Sequence, residues 1–354
     1  MKALPYFSFS TYEGSIIWRF LDGVSTAVSS RRLRGSPPGE ENLTFLLCEL
    51  LDESSAGLHV LEYPLASAKA DLEKSDAGIT IDVEFQTHEH PRWVEAKYSG
   101  ADLGIVFVMD HPLLGYSRRA VLVQAKRLFG AGRLREFSIY SEYEHYKAKQ
   151  AAFFRELEQR FDVGNSVFYL WYNPPSTAFP DEHAKRIRSY ESVGSSLWPW
   201  RGRLSPFIDD MIDFGFPLSI SRTLAGPEDE EKNHVWRERQ PALRVSGLST
   251  VLAVADGGQR PQLETFYKAL LENGRNRWDR FVFAPFADFF LMGLMSQRLG
   301  SSDDDWIKLA QGNKIPMPPV KDDKKAEMLL QLDSPPAPRH TITFTVRSTL
   351  PPIG

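Results

Sequence analysis

Residues Ser99 to Leu128 constrain this chain more than any other stretch, because they place polar groups inside what otherwise reads as buried strand. Gly100-Ala101-Asp102 opens one apolar strand, and Val121-Leu122-Val123-Gln124-Ala125-Lys126-Arg127 reads as the next. The apolar run from Ala120 to Val123 continues past Gln124 to Ala125, so the two-residue period of a strand sets Gln124 and Lys126 on one face. A lysine there asks for a charged partner, since an ammonium is almost never buried alone. Asp102 is the candidate. The competing account makes Ser99-Gly100 an ordinary turn ended by Asp102 and Lys126 the first exposed residue after a strand. Two polar residues on one strand face, opposite an Asp, favour a site.

An Asp on one strand with Gln-x-Lys on its neighbour resembles the PD-(D/E)xK nuclease superfamily, and the Gln form after Gly-Ala-Asp is similar to its Mrr-like branch. The resemblance covers Gly39 to Asn173, under half of the chain. It implies an α/β, restriction-endonuclease-like core of helix, three strands, helix and strand. It also implies phosphodiester hydrolysis with Mg2+ or Mn2+, most simply as a DNA endonuclease in restriction, repair or antiphage defence in bacteria. Carried over by residue, Asp102 and Gln124 hold the metal and Lys126 positions or activates the attacking water. Such nucleases commonly add a Glu from the preceding helix as a further ligand, a place that either Glu41 or Glu40 fits. The chain departs from the usual pattern in Ala101, where Pro is frequent, and in Gln124, where Glu is commoner. A Gln still offers a carbonyl oxygen to a hard cation, with one negative charge fewer. Two further readings stand beside this one: a catalytically inactive nuclease-fold module that binds nucleic acid or a partner protein, and an RNA-cutting effector.

A second register lies upstream. Ile79 to Phe85 alternates as a half-buried strand, and Trp93-Val94-Glu95-Ala96-Lys97 contains a literal Glu-x-Lys, so Asp82, Glu95 and Lys97 also satisfy the pattern. Against it, Asp82 and Glu84 share one strand face opposite Ile81, Val83 and Phe85, which is how a solvated face reads. His88 and His90 flank Glu89 in a turn and read as surface histidines.

The elements around the motif follow from periodicity. After the loop Ser36-Pro37-Pro38-Gly39, Glu40 to Asp52 carries Leu43, Leu46, Leu47, Leu50 and Leu51 at helical spacing, with acids in the first turn where the helix dipole favours them. Glu40 lies nearer the apolar face than Glu41. Ser141 to Phe161 predicts a long amphipathic helix, whose Tyr143, Lys147 and Gln150 could face nucleic acid or the active site, although aromatics at this spacing more often belong to the core. Val167 to Tyr172 is an apolar run of strand length stopped by Asn173-Pro174-Pro175.

Beyond Pro174 the chain carries no catalytic constellation, and residues 175–354 are expected to form a mainly helical extension that regulates or targets a nuclease core in residues 1–174, with a regulatory protein as a possible partner. Helices are expected at Gln262–Asn273 and Phe281–Leu299, a linker at Asn313–Asp323 and a strand at Thr341–Val346. A net charge of −4 does not advertise nucleic-acid binding, so any phosphate contacts fall to local clusters: Arg31, Arg32 and Arg34 before the first core helix, and Lys126, Arg127, Arg133 and Arg135 around the motif. Acidic blocks at Glu228 to Glu231 and Asp303 to Asp305 are expected to face away from a polyanion. The single Cys48 excludes an intramolecular disulfide framework. With no signal-peptide pattern in Met1 to Ser10 and no apolar stretch of spanning length, a cytoplasmic location without membrane contact is expected.

Overall fold

The computed structural model describes residues 11–33, 38–55, 61–75, 80–89, 101–111, 115–130, 136–138, 141, 148–164, 166–175, 178–183, 185, 218–222, 283–295, 299–315 and 337–349. Helices α1 (Thr11–Ser30), α2 (Glu40–Leu51) and α3 (Leu65–Glu73) precede strands β1 (Thr80–Glu89), β2 (Leu103–His111) and β3 (Gly115–Arg127). Helix α4 (Ala148–Arg160) and strand β4 (Val167–Tyr172) follow, then β5 (Leu218–Arg222), β6 (Phe283–Pro285), α5 (Phe286–Met295), α6 (Asp304–Ala310) and β7 (His340–Thr349). These strands form one mixed sheet in the order β1-β7-β2-β3-β4-β5-β6.

Side-chain alternation divides the sheet into two covered faces. Val121, Val123 and Ala125 of β3 join the larger core with Leu103, Ile105 and Phe107 of β2, under α1, α2, α3 and α5. Ala120 and Leu122 join Val106 and Val108 in a second core beneath α4 and α6. Helices on both faces explain why β4 is apolar along its whole length: every one of its residues is buried. The edge strand β1 is instead one-sided, with Val83 and Phe85 buried and Asp82, Gln86 and His88 exposed. Phe85 stacks on Phe344 of β7, with ring centroids 4.3 Å apart.

The expected α/β class is present; α2, β1 to β3, α4 and β4 occur in that chain order, with α3, which the periodicity did not predict, standing between α2 and β1. Space departs from chain order. Strand β7 lies between β1 and β2, antiparallel to the first and parallel to the second. Strands from both sides of Pro174 therefore share one sheet, and the described part of residues 175–354 contributes β5, β6 and β7 to it beside helices α5 and α6. The long helix expected at Phe281–Leu299 is shorter. Pro285 disfavours helical backbone in the residue before it, so Phe283–Pro285 is extended and α5 starts at Phe286. Helix α4 begins in the description at Ala148, and the segments at Gln262–Asn273 and most of Asn313–Asp323 lie outside it. Glycine matters at Gly104, where a Cβ would come within 1.9 Å of the Ala310 carbonyl oxygen, so α6 packs directly on the backbone of β2. Among the described residues no helix is long and apolar enough to cross a membrane.

Candidate active site

Strand β3 outruns its neighbour. Its last partner in β2 pairs as Val123 with Leu103, so Gln124 to Arg127 project beyond the start of β2. On the other edge Leu122 and Leu128 donate to β4-side carbonyls, Ser166 O at 2.8 Å and Tyr172 O at 3.2 Å. The intervening amides of Ala125 and Arg127 point the other way, where no strand is paired. Buried amides must find acceptors, and two carboxylates supply them. Ala125 N–H donates to Asp102 Oδ2 at 2.6 Å, and Arg127 N–H donates to Glu40 Oε1 at 3.0 Å. Two strand residues span about 7 Å, which sets the scale on which these acids stand side by side.

Asp102 is held from two sides. Gln124 Nε2 donates to the same Oδ2, while the Asp102 carbonyl accepts from His340 N–H at 3.0 Å and the Ala101 carbonyl from Arg339 N–H at 3.4 Å. Gln124 and Lys126 share one face of β3 and are 4% and 7% exposed. Their partners in β4 are Tyr169 and Trp171, whose ring centroids lie 5.6 Å apart. The polar pair thus sits beside an aromatic wall. Among the described residues Lys126 makes no hydrogen bond and no ion pair.

The two acids at the start of α2 take different directions. Glu40 reaches β3 as described, and its carbonyl accepts from Thr44 Oγ1 at 3.0 Å. Thr44 Oγ1 in turn bonds the Tyr172 hydroxyl at 2.9 Å. Burial raises the Tyr172 hydroxyl well above the ordinary phenol value against the opposing Thr44 bond, and the nearby Cys48, Asp102 and Glu40 push it the same way. Tyr172 therefore stays a neutral phenol beside the acids. Glu41 forms an ion pair with Arg339, which also contacts Glu89 at 3.2 Å. The structure brings Asp102, Gln124, Lys126 and Glu40 to one end of the sheet, with Glu41 committed to a neighbouring ion pair.

Among the described residues no group of three or more His, Cys, Asp or Glu is placed to hold a metal ion. The donor set for a hard divalent cation is therefore the Asp102 and Glu40 carboxylates with the Gln124 amide oxygen, all oxygen ligands of the type Mg2+ and Mn2+ prefer. Their chemistry fits such an ion, with fewer negative charges than a three-carboxylate site.

Other expected contributors lie elsewhere. In the upstream register Asp82 is exposed and ion-paired with Arg347 at 3.6 Å and Lys69 at 3.8 Å, while Glu95 and Lys97 fall outside the described residues. Arg32 does not face phosphate: it is buried, donates to the Leu128 carbonyl and stands 5.3 Å over the Phe137 ring. Arg127 stands 4.7 Å over Phe129 and donates to the Pro38 carbonyl at 3.1 Å. Both guanidinium groups are engaged by backbone carbonyls that flank β3 and α2. Arg34, Arg133, Arg135, Tyr143 and Lys147 lie outside the described residues, as does the side chain of Gln150. Asp303 caps α6 by accepting from Trp306 N–H at 2.9 Å, while Asp304 and Asp305 remain exposed.

Thr44, Tyr172 and Arg339 join the site without any sequence signal pointing to them. Tyr172 merely ends an apolar run, and Arg339 meets Glu89 across 250 residues of chain. No protein-family model, curated protein or solved structure matches the chain.

Proposed function

We propose that this protein is a divalent-metal-dependent nuclease of the PD-(D/E)xK type, cutting DNA, with Asp102, Gln124 and Glu40 as metal ligands and Lys126 beside the scissile phosphate. The observation that carries the reading is Lys126, a lysine 7% exposed as a residue and with no ion pair among the described residues, on the same face as a Gln that donates to Asp102. A lysine whose charge is engaged by no counter-ion of the fold keeps it available for a phosphate. Asp102, Gln124 and Glu40 would hold Mg2+ or Mn2+, which would supply polarisation of the scissile phosphate and a bound water of lowered pKa. The attacking water loses a proton to solvent as its oxygen bonds to phosphorus, the bond from phosphorus to one sugar oxygen breaks, and that oxygen leaves as a hydroxyl after taking a proton from solvent. Lys126 stabilises the negative charge that builds on the phosphate oxygens. Asp102 and Glu40, anchored on consecutive outward amides of β3, hold the geometry without waiting for substrate.

The test uses the full chain with plasmid DNA, single-stranded DNA and RNA, in Mg2+, in Mn2+ and in chelator. Cleavage of DNA only with metal, lost in Asp102→Ala and Lys126→Ala proteins of unchanged circular dichroism, is the expected result. Equal cutting by both variants overturns the site. The small number of acids at the sheet end favours a second reading, a nuclease-fold module that binds nucleic acid or a protein without cutting. Binding with no cleavage in any metal would select it, and cleavage of RNA alone would select the RNA-cutting effector.

A further inference from the structure

One basic residue at this end of the sheet is buried and engaged on three sides. Arg339 is 9% exposed, and it stands one residue before β7, the strand inserted between β1 and β2. Its backbone amide bonds the Ala101 carbonyl, next to Asp102. Its guanidinium pairs with Glu41 in the first turn of α2 and with Glu89 at the end of β1. One residue therefore touches the Asp102 segment, the helix that carries Glu40 and the edge strand. Helix α2 packs over β1, β7 and β3, so its rotation about its own axis decides where its first residue reaches. Consecutive helix residues point about 100° apart. Anchoring Glu41 toward Arg339 turns the adjacent Glu40 toward the Arg127 amide, where its carboxylate stands beside that of Asp102.

We infer that Arg339 is a positioning residue: through its ion pair with Glu41 it sets the separation of the Glu40 and Asp102 carboxylates and so the divalent-metal affinity of the site. The inference rests on the reading of Asp102, Gln124 and Glu40 as metal ligands. Groups that orient ligands without touching the ion typically change affinity by about 10- to 100-fold when removed. Glu41 then acts at one remove from the ion, through its neighbour.

The experiment is a Mn2+ titration of the full chain without nucleic acid, following the free-ion signal by electron paramagnetic resonance, with Asp102→Asn as reference. Wild-type protein is expected to bind Mn2+ in an Asp102-dependent way. Glu41→Gln and Arg339→Gln should each weaken binding about tenfold, the double variant should be no weaker than either single one, and Arg339→Lys should recover part of the loss. Glu41 is 44% exposed, so Glu41→Gln decides the matter if Arg339→Gln fails to fold. A purely structural role would lower the melting temperature and leave the Mn2+ affinity of the folded protein unchanged. Unchanged affinity in Glu41→Gln, with Asp102-dependent binding in wild type, overturns the inference alone. No Asp102-dependent binding in wild type overturns the metal-site reading, and the inference with it.

Discussion

Lys126 contributes no ion pair among the described residues, so its charge does little for the fold. Lys126→Met keeps the stem that packs beside Trp171 and removes the charge, so it should abolish cleavage without loss of stability. Chemical denaturation of the two proteins checks this, and a less stable variant would make Lys126 a structural residue. Gln124 gives the complementary case. Gln124→Glu places a second carboxylate against Asp102 Oδ2, replacing a hydrogen bond by like-charge repulsion that a divalent ion relieves. That variant should be less stable without metal and need less Mg2+ for half-maximal cleavage, whereas Gln124→Ala should need more and cut more slowly. Rates measured across a Mg2+ series for the three proteins test it; a Gln124→Ala protein indistinguishable from wild type would remove Gln124 from the chemistry. Gln124 and Lys126 were legible in the sequence because a two-residue period states which side chains share a face. The choice between Glu40 and Glu41 was not, since adjacent helix residues differ only in direction, and direction depends on what the helix packs against.

At the scale of elements, the candidate site forms where β3 runs on past the start of β2. The overhanging amides need acceptors, and the loop before β2 and the first turn of α2 provide them. The other end of α2 is tied to the sheet as well. Asp52 accepts from Thr87 N–H at 3.1 Å and Thr87 Oγ1 at 2.8 Å in β1, and from Ser54 N–H at 2.8 Å. Partial burial opposes ionisation of Asp52, but the hydrogen bonds from Ser54 and Thr87 outweigh it, so its carboxyl lies below the ordinary 3.8. A depressed folded value means the unfolded chain binds the proton more readily. The stabilisation is therefore complete above the unfolded value and is lost as pH falls through the folded one. Melting temperatures of wild type and Asp52→Ala should differ most at neutral pH and converge in acid, once the pH has fallen through the folded value. A constant gap across that range would show that the carboxylate charge contributes nothing.

For the whole molecule, the placement of β7 is decisive. Removing everything after Asn173 takes away the strand that pairs with both β1 and β2, together with α5, whose Phe286, Phe289 and Phe290 lie in the larger core. A fragment of residues 1–173 should therefore lack a cooperative thermal transition in circular dichroism, and a sharply melting, monomeric fragment would show that the first half folds alone. The expected regulatory region is in this respect a structural contributor. The same insertion brings Arg339 and His340 to Asp102, so the candidate site is assembled from both halves of the chain.

By itself the sequence determined what depends on neighbours along the chain. The helix from Glu40, the buried strand Val167–Tyr172, the alternation that pairs Gln124 with Lys126, and the strand around Thr341–Val346 all follow from periods of 3.6 and 2 residues. Tertiary structure alone decided what depends on contacts between distant segments: β7 between β1 and β2, Arg32 turned inward to the Leu128 carbonyl, Glu40 on β3 and Glu41 on Arg339. The physical reason is that a hydrophobic period specifies which face an element buries, not which element covers it. Strand order and the partners of buried charges are set by the packing of the complete sheet.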